Sequence, residues 1–239
     1  IIALKPDIII TCAYGQIIPQ DVLATPPYGC INVHASLLPK LRGGSPIHHA
    51  IINGYEETGI TIMYMDEKMD NGDIISQKAI PIEVDDNVET LHDKLSIIGS
   101  QLLLSTLPEI IKGTNKRIKQ NLNEVTYAYN IKSEDEFLDF NNTSLNVYNK
   151  IRGLNPFPGS RAILDNKSIK IYESKIGKTN NFKALPGEII NVYKDGIGIK
   201  TSDGEIIITK IQIAGKQKML VKDYLNGINK ELLLNQKFI

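Results

Sequence analysis

The sequence predicts an α/β domain followed by a small antiparallel β-barrel. Three observations carry this: short apolar runs joined through a helical segment in the first half, closely spaced strand signals with turn dipeptides in the second, and a reversal of charge between them. Residues 1–143 hold 11 basic and 19 acidic side chains, a net of −8, whereas residues 144–239 hold 16 and 8, a net of +8. The formal charge of zero therefore hides two modules with different partners. The predicted boundaries are 1–113 for the α/β domain, 114–132 for a linker and 133–239 for the barrel.

Taken in order, Asp7 to Cys12 is an apolar run bounded by Pro6 and Gly15, which predicts a strand buried on both faces of a parallel sheet. Gly29 to Val33 repeats the signal, and Pro19 to Ala24 between them suits a helix whose first turn needs no amide donor. A loop from Ser36 to Pro46 leads to a helix over Ile47–Asn53, stopped by Gly54. Gly59 to Met65 alternates, with Ile60, Ile62 and Tyr64 on one face, and Ile74 to Ile82 gives a further strand. Asp86 or Asn87 caps a long amphipathic helix through Leu91, Leu95, Ile98 and Leu102, closing near Gly113 with Lys112 at its negative end. Thr114 to Asn130 is polar and without a sustained period, as a connector would be, and a short helix spans about Leu145 to Arg152. Beyond Gly159 five or six strands follow, with turns at Asp165-Asn166, Asp195-Gly196 and Asp203-Gly204.

A content of 42% hydrophobic against 23% charged residues supports a buried core and excludes disorder throughout. Two cysteines, Cys12 and Cys30, are too few for a disulfide framework or a tetrahedral zinc site, and suit a reducing cytosol. No apolar stretch approaches the roughly 20 residues of a membrane span. The opening Ile-Ile-Ala-Leu-Lys-Pro-Asp has no initiator Met and reads as the last turn of a helix entering a strand, so an N-terminal piece is expected to be missing.

Asn32 and His34 stand two apart at the end of a predicted parallel strand, so their side chains leave the same face, where α/β sheets place ligands. An amide donor beside an imidazole can stabilise an oxyanion on a carbonyl, and the imidazole can also carry a proton near neutral pH. Asp70, in the loop Met69-Asp-Asn-Gly-Asp73, would orient the ring if that loop folds back beside it. Other residues read more simply. His48-His49 suit a surface or packing role, Cys30 a buried structural thiol, Asp73 a turn, and Met63-Tyr64-Met65 strand packing. Arg42 is balanced between binding a substrate and holding its own glycine-rich loop.

Asn32-Val-His-Ala-Ser-Leu-Leu-Pro39, Arg42-Gly-Gly-Ser-Pro46, Thr58 to Met65 and Met69 to Asp73 resemble, in order and spacing, the 10-formyltetrahydrofolate-dependent formyltransferases. The likeness is greatest to the branch that formylates methionyl-tRNA, and Gly153-Leu-Asn-Pro-Phe-Pro158 and Gly215-Lys-Gln-Lys218 resemble that branch's C-terminal barrel. The resemblance implies a Rossmann-like formyltransferase domain, incomplete at its N-terminus, and an OB-like barrel. It implies Asn32, His34 and Asp70 as the catalytic set, and Ser36, Leu37, Leu38 and Pro39 as contacts to the reduced folate. Gln16, Ile17 and Ile18 would edge the pterin pocket, and the segment before Asp70 would offer it backbone hydrogen bonds.

The implied reaction moves a formyl group from 10-formyltetrahydrofolate to the amino group of methionyl-initiator tRNA, without a metal, in a cytoplasmic monomer that needs no membrane. The lysine-rich barrel then has a purpose, following the phosphate backbone of tRNA, with Lys216 and Lys218 as the best candidates and Lys210 and Arg42 beside them. The family's first domain also carries an inserted loop near the acceptor end, before the point where the likeness begins. The 239-residue chain is accordingly expected to be poorly active or aggregation-prone alone. Two other readings follow from the same residues: a formyl-folate enzyme acting on a nucleotide-sugar amine or on water, and a non-catalytic RNA-binding module.

Overall fold

The computed structural model describes residues 1–178, 183–234 and 236–239. The chain divides into two compact units, one of residues 1–50, 55–84 and 90–130, the other of residues 51–54, 85–89 and 131–239.

The first unit is built on a four-stranded sheet of β1 (Ile9–Cys12), β2 (Cys30–His34), β3 (Glu57–Tyr64) and β4 (Ile74–Pro81), in that order. β1 and β2 are parallel, joined across α1 (Gln20–Leu23), and the remaining pairs are antiparallel. α2 (Pro46–Ile52) precedes β3, and α3 (Val88–Lys112) follows β4 and ends at Gly113, whose φ of 68° gives the left-handed exit that a glycine adopts without strain.

β3 departs from the expected alternation, because Thr58 to Met63 are all buried. Both faces are covered. On one, Gly99 of α3 comes so near that a Cβ there would lie 3.3 Å from Val33 Cγ1 and 3.5 Å from Ile60 Cδ1. On the other, the loop after β2 packs Leu38 against Met63 and Ile74, and the Thr61 hydroxyl accepts from the Leu38 N–H at 3.1 Å. β1 corrects the expectation of burial on both faces: its residues alternate between half-buried and exposed, with Ile10 40% exposed and Cys12 exposed. It pairs with β2 alone among the described strands, so only one edge of it is held.

The stretch from 114 to 130, read as a connector, is fastened to this unit by single bridges. Ile118 exchanges both backbone hydrogen bonds with Ile74, and Tyr127 bridges Arg42. Isolated bridges bind backbone, so they leave no hydrophobic period in the sequence.

The second unit holds α4 (Ser144–Gly153), β5 (Ser160–Leu164), β6 (Lys167–Ile176), β7 (Ile189–Val192), β8 (Ile197–Lys200), β9 (Glu205–Ile213), β10 (Met219–Leu220) and α5 (Val221–Leu225). The sheet order is β5-β6-β9-β8-β7 with β10 on β9, antiparallel throughout. The Asp165-Asn166 turn takes φ of 49° and 58°, the left-handed pair that a tight hairpin needs. Residues 236–239 then bond both outer strands: Ile163 and Ile239 exchange N–H to carbonyl bonds on the β5 side, while Ile189 N–H donates to Gln236 and Phe238 N–H to Gly187 on the β7 side. The sheet thereby closes around a core of isoleucines, among them Ile171, Ile199 and Ile206 at 0% exposure, capped by Val147 and Ile151 of α4.

α4 begins with Thr143 as its cap, accepting from Asn146 N–H at 3.2 Å, and Asp203 accepts the next free amide, that of Ser144, at 2.7 Å. The Ser144 amide, with the Ser144 and Thr201 hydroxyls, holds the Asp203 carboxyl below the usual carboxylate range against a smaller opposing effect of burial. A folded value depressed in this way adds stability that is present above the unfolded value and lost as the pH falls through the folded one. Asp203→Asn is therefore expected to destabilise the protein by about 0.5–1 kcal/mol at pH 7, at the low end because the carboxylate is exposed. Thermal melts should show that gap closing in acid; a gap that persists would remove the charge from the account.

Candidate active site

β2 projects Asn32 and His34 onto the face opposite α3, because Asn32 pairs with Met63 and His34 with Thr61 in the register with β3. The Thr11 hydroxyl on β1 lies 3.0 Å from Asn32 Oδ1, which turns the amide nitrogen outward. That nitrogen reaches to 3.5 Å from Asp70 Oδ1, the outer limit of a hydrogen bond. The same carboxylate oxygen is 3.7 Å from His34 Nδ1. Three groups from two parts of the chain thus converge on one point: an amide donor, an imidazole and a carboxylate.

His34 is 5% exposed, and its Nε2 is 3.0 Å from the carbonyl of Leu41. Both ring nitrogens consequently face acceptors, so a ring protonated on both can donate to each, while a neutral ring can satisfy only one. The Leu41 carbonyl, which can only accept, takes a proton from Nε2, fixes the ring and leaves Nδ1 facing the carboxylate.

Asp70 is held by its own backbone as much as by its side chain. Its φ is 51°, a left-handed conformation that few residues adopt and that Asp and Asn tolerate better than most. Gly43 N–H donates to Asp70 Oδ2 at 2.8 Å, leaving Oδ1 for Asn32 and His34. The Gln120 side-chain nitrogen donates to the carbonyls of Asp70 and Gly72, both at 2.8 Å. Gln120 Oε1 meanwhile accepts from Arg42 Nε at 3.1 Å and Nη2 at 2.8 Å, and Arg42 Nη1 donates to Asn71 at 3.1 Å. Gln120 and Asn71 carry no sequence signal of this role. A polar residue in an unpatterned stretch gives no local sign that it clamps a loop 50 residues earlier.

Arg42 corrects one expectation. It is 4% exposed, with its guanidinium committed to Gln120 and Asn71, so it holds its loop and is not presented to RNA. Ser36 is fully buried and donates to the Lys40 carbonyl at 2.6 Å, and Leu38 lies in the core. Leu37 and Pro39 are half-buried. Gln16 and Ile17 are exposed, Ile17 by 79%, and Ile18 is half-buried. A cleft of about 450 Å³ opens beside the Asp70 loop, lined by Gln20, Leu23 and Ala24 on one side and by Met65 to Lys68 and Asn71 on the other. Leu23, Ala24 and Met65 supply its apolar side chains and Gln20, Asp66, Glu67, Lys68 and Asn71 its polar ones, while Gln16 to Ile18, Ser36 to Pro39 and the catalytic candidates do not line it.

The remaining candidates have structural surroundings. Cys30 is buried against the carbonyls of Val22 and Leu23, and burial pushes its thiol up, away from a reactive thiolate. Asp73 pairs with Arg117 at 3.1 Å, and Arg117 lies over the Tyr64 ring at 4.2 Å. His49 Nε2 is 2.9 Å from the Tyr129 carbonyl. In the second unit Lys210 pairs with Glu173 at 2.9 Å, Lys218 lies over the Tyr172 ring at 3.8 Å, and Lys216 is exposed.

Residues 1–107 match the model of the formyl transferase domain, and residues 130–229 that of the formyl transferase C-terminal domain. The chain belongs to the formyl transferase family. A curated family member, the methionyl-tRNA formyltransferase of Macrococcus caseolyticus, is 49% identical over 231 residues, which is 97% of this chain and 74% of that protein. Among solved structures, HypX from Aquifex aeolicus in complex with tetrahydrofolic acid superposes with a TM-score of 0.71 at 21% identity, over 92% of this chain and 38% of that one, which shows a shared fold. An N-formyltransferase from Helicobacter canadensis, in complex with folinic acid and dTDP-3-aminofucose, gives 0.60 at 27% identity, over 79% of this chain and 66% of its own. Among the described residues, no helix is long and apolar enough to cross a membrane.

Proposed function

We propose that this formyl transferase moves the formyl group of 10-formyltetrahydrofolate to the amino group of methionyl-initiator tRNA. The observation that carries the acceptor is the 49% identity to methionyl-tRNA formyltransferases over nearly the whole chain. The convergence of Asn32, His34 and Asp70 suits the chemistry. The folate, as donor, supplies a formyl carbon bonded to a nitrogen leaving group, and the chain's own residues do the rest. As the acceptor amine forms its bond to that carbon, negative charge grows on the formyl oxygen, where the Asn32 amide is placed to donate, joined by His34 Nδ1 once that nitrogen has taken the amine's proton. The amine must lose a proton and the departing nitrogen must gain one. His34, with Asp70 beside Nδ1, is the group positioned to carry it, and no charge remains on the protein at the end.

The cleft beside Met65 to Lys68 is the natural seat for the pterin ring. By the family resemblance Ser36, Leu37, Leu38 and Pro39 would contact the reduced folate, and Gln16 to Ile18 would edge the pterin pocket. Lys210, Lys216 and Lys218 would contact tRNA phosphates from the second unit, where the net charge is positive. The reading also places the protein, as a monomer, in the cytosol where translation begins.

The test is transfer of radiolabelled formyl from 10-formyltetrahydrofolate to three acceptors in parallel: methionyl-initiator tRNA, a dTDP-linked amino sugar and water. Label is expected on the tRNA in large excess over the others. Label on the amino sugar, or free formate alone, would overturn the choice of acceptor while leaving the family chemistry in place.

A further inference from the structure

Tyr127 and Tyr129 lie outside everything the transfer chemistry uses. They alternate with Ala128, which is fully buried, so both rings leave the same side of an extended run, 49% and 62% exposed. The rings are parallel to within 5°, with centroids 5.5 Å apart. Two large aromatic faces are thus stacked on each other and turned to solvent.

The backbone beneath them is firmly held. Arg42 N–H donates to Thr126 at 2.9 Å, Ala128 N–H to Arg42 at 2.7 Å and Ser45 N–H to Ala128 at 3.0 Å. Gly43 is what allows this approach: its φ is 124°, and a Cβ there would lie 2.5 Å from the Ala128 carbonyl oxygen. The same Gly43 donates its N–H to Asp70. The tyrosine run therefore lies one strand spacing, about 4.8 Å, from the loop that holds the carboxylate of the active site.

We propose that the Tyr127–Tyr129 pair is a stacking site for a nucleobase of the acceptor substrate, the 3′-terminal base of the methionyl-tRNA; this rests on the reading of the acceptor given above. An exposed, rigid aromatic face is what a splayed base stacks on, and its geometry is indifferent to most of the base's edge. The amine to be formylated hangs from the terminal ribose, so the terminal base must enter beside the carboxylate and imidazole. A stacking surface one strand away meets that requirement. The base of a nucleotide-linked sugar shares this chemistry, which the test separates.

The experiment is equilibrium binding by the full chain of a fluorescent single-stranded RNA ending in CCA, of the same RNA with an abasic terminal nucleotide, and of dTDP. Wild type is compared with a Tyr127→Ala/Tyr129→Ala pair and a Tyr127→Phe/Tyr129→Phe pair. The alanine pair is expected to weaken binding of the CCA RNA about 5–100-fold, and the phenylalanine pair to change it less than about twofold, because the ring face is what binds. The abasic RNA should bind wild type as poorly as the CCA RNA binds the alanine pair. The proposal falls if the alanine pair binds the CCA RNA as tightly as wild type, if the abasic RNA binds equally well, or if dTDP alone senses the rings. Unchanged thermal melts of both pairs exclude a folding defect. Ring-dependent and base-dependent binding in a protein that transfers no formyl group to methionyl-tRNA would sink the proposed function and leave the stacking site standing.

Discussion

Asp70→Asn is expected to lower kcat for formyl transfer by about 10²–10⁴-fold with little change in thermal stability. Asparagine tolerates the left-handed φ of 51° and keeps an oxygen for the Gly43 N–H, so the backbone has no reason to move. What disappears is the negative charge at 3.7 Å from His34 Nδ1 and 3.5 Å from the Asn32 amide. His34→Ala should cause a comparable loss, and the double variant should be no worse than the poorer single one, because the two side chains act as one proton-handling unit. Steady-state kinetics of the three variants, with melts alongside, decide the matter. Losses that multiply in the double variant would mean that the two residues act separately, and an Asp70→Asn enzyme within tenfold of wild type would leave the carboxylate without a role.

Gln120→Glu separates position from stability. The glutamate still accepts from Arg42, and more strongly for being charged, but it puts an oxygen where an N–H now donates to the carbonyls of Asp70 and Gly72. The Asp70 loop should shift while the fold survives. A displacement near 1 Å at a catalytic group costs about 100-fold in rate, so kcat is expected to fall by that order with the melting temperature nearly unchanged. Gln120→Leu should do both kinds of damage. It also removes the one oxygen that accepts two hydrogen bonds from a guanidinium that is 4% exposed, at a cost of about 1–3 kcal/mol. Wild-type kcat in Gln120→Glu would show that the clamp holds the loop for stability alone.

Asn32 and His34 were legible because a strand end in an α/β sheet and a two-residue spacing together fix both place and face. The carboxylate was harder. Nothing local distinguishes Asp70 from Asp73, and the structure separates them by partners that no spacing reveals: Gly43 and Gln120 for one, Arg117 for the other. The Arg42 side chain was balanced between two uses because a basic residue in a glycine-rich loop serves either, and its burial depends on Gln120, 78 positions away. The apolar run of β1 predicts burial that its place does not give, because such a run looks the same at the centre of a sheet and at its edge. The Asp165-Asn166 turn is the clearest feature of the second unit, since that pair acts through its own left-handed backbone angles and needs no distant partner.

The closure of the isoleucine-lined sheet by residues 236–239 also bears on the order of folding. β5 leaves the ribosome long before Ile239 is made, yet Ile163 and Ile239 exchange hydrogen bonds in the finished ring. Contacts between positions so distant in sequence are slow to form, since the loop must be closed before they repay its entropy. During synthesis β5 has only its bridge to Phe137 on that edge, through the Leu138 N–H on the Arg161 carbonyl, and the edges of Ile163 and β7 wait for residues 236–239, a period in which they offer themselves to other strands. The ring is thus completed only when residues 236–239 reach both strands, and its vulnerability to misassembly is concentrated in the interval before they do.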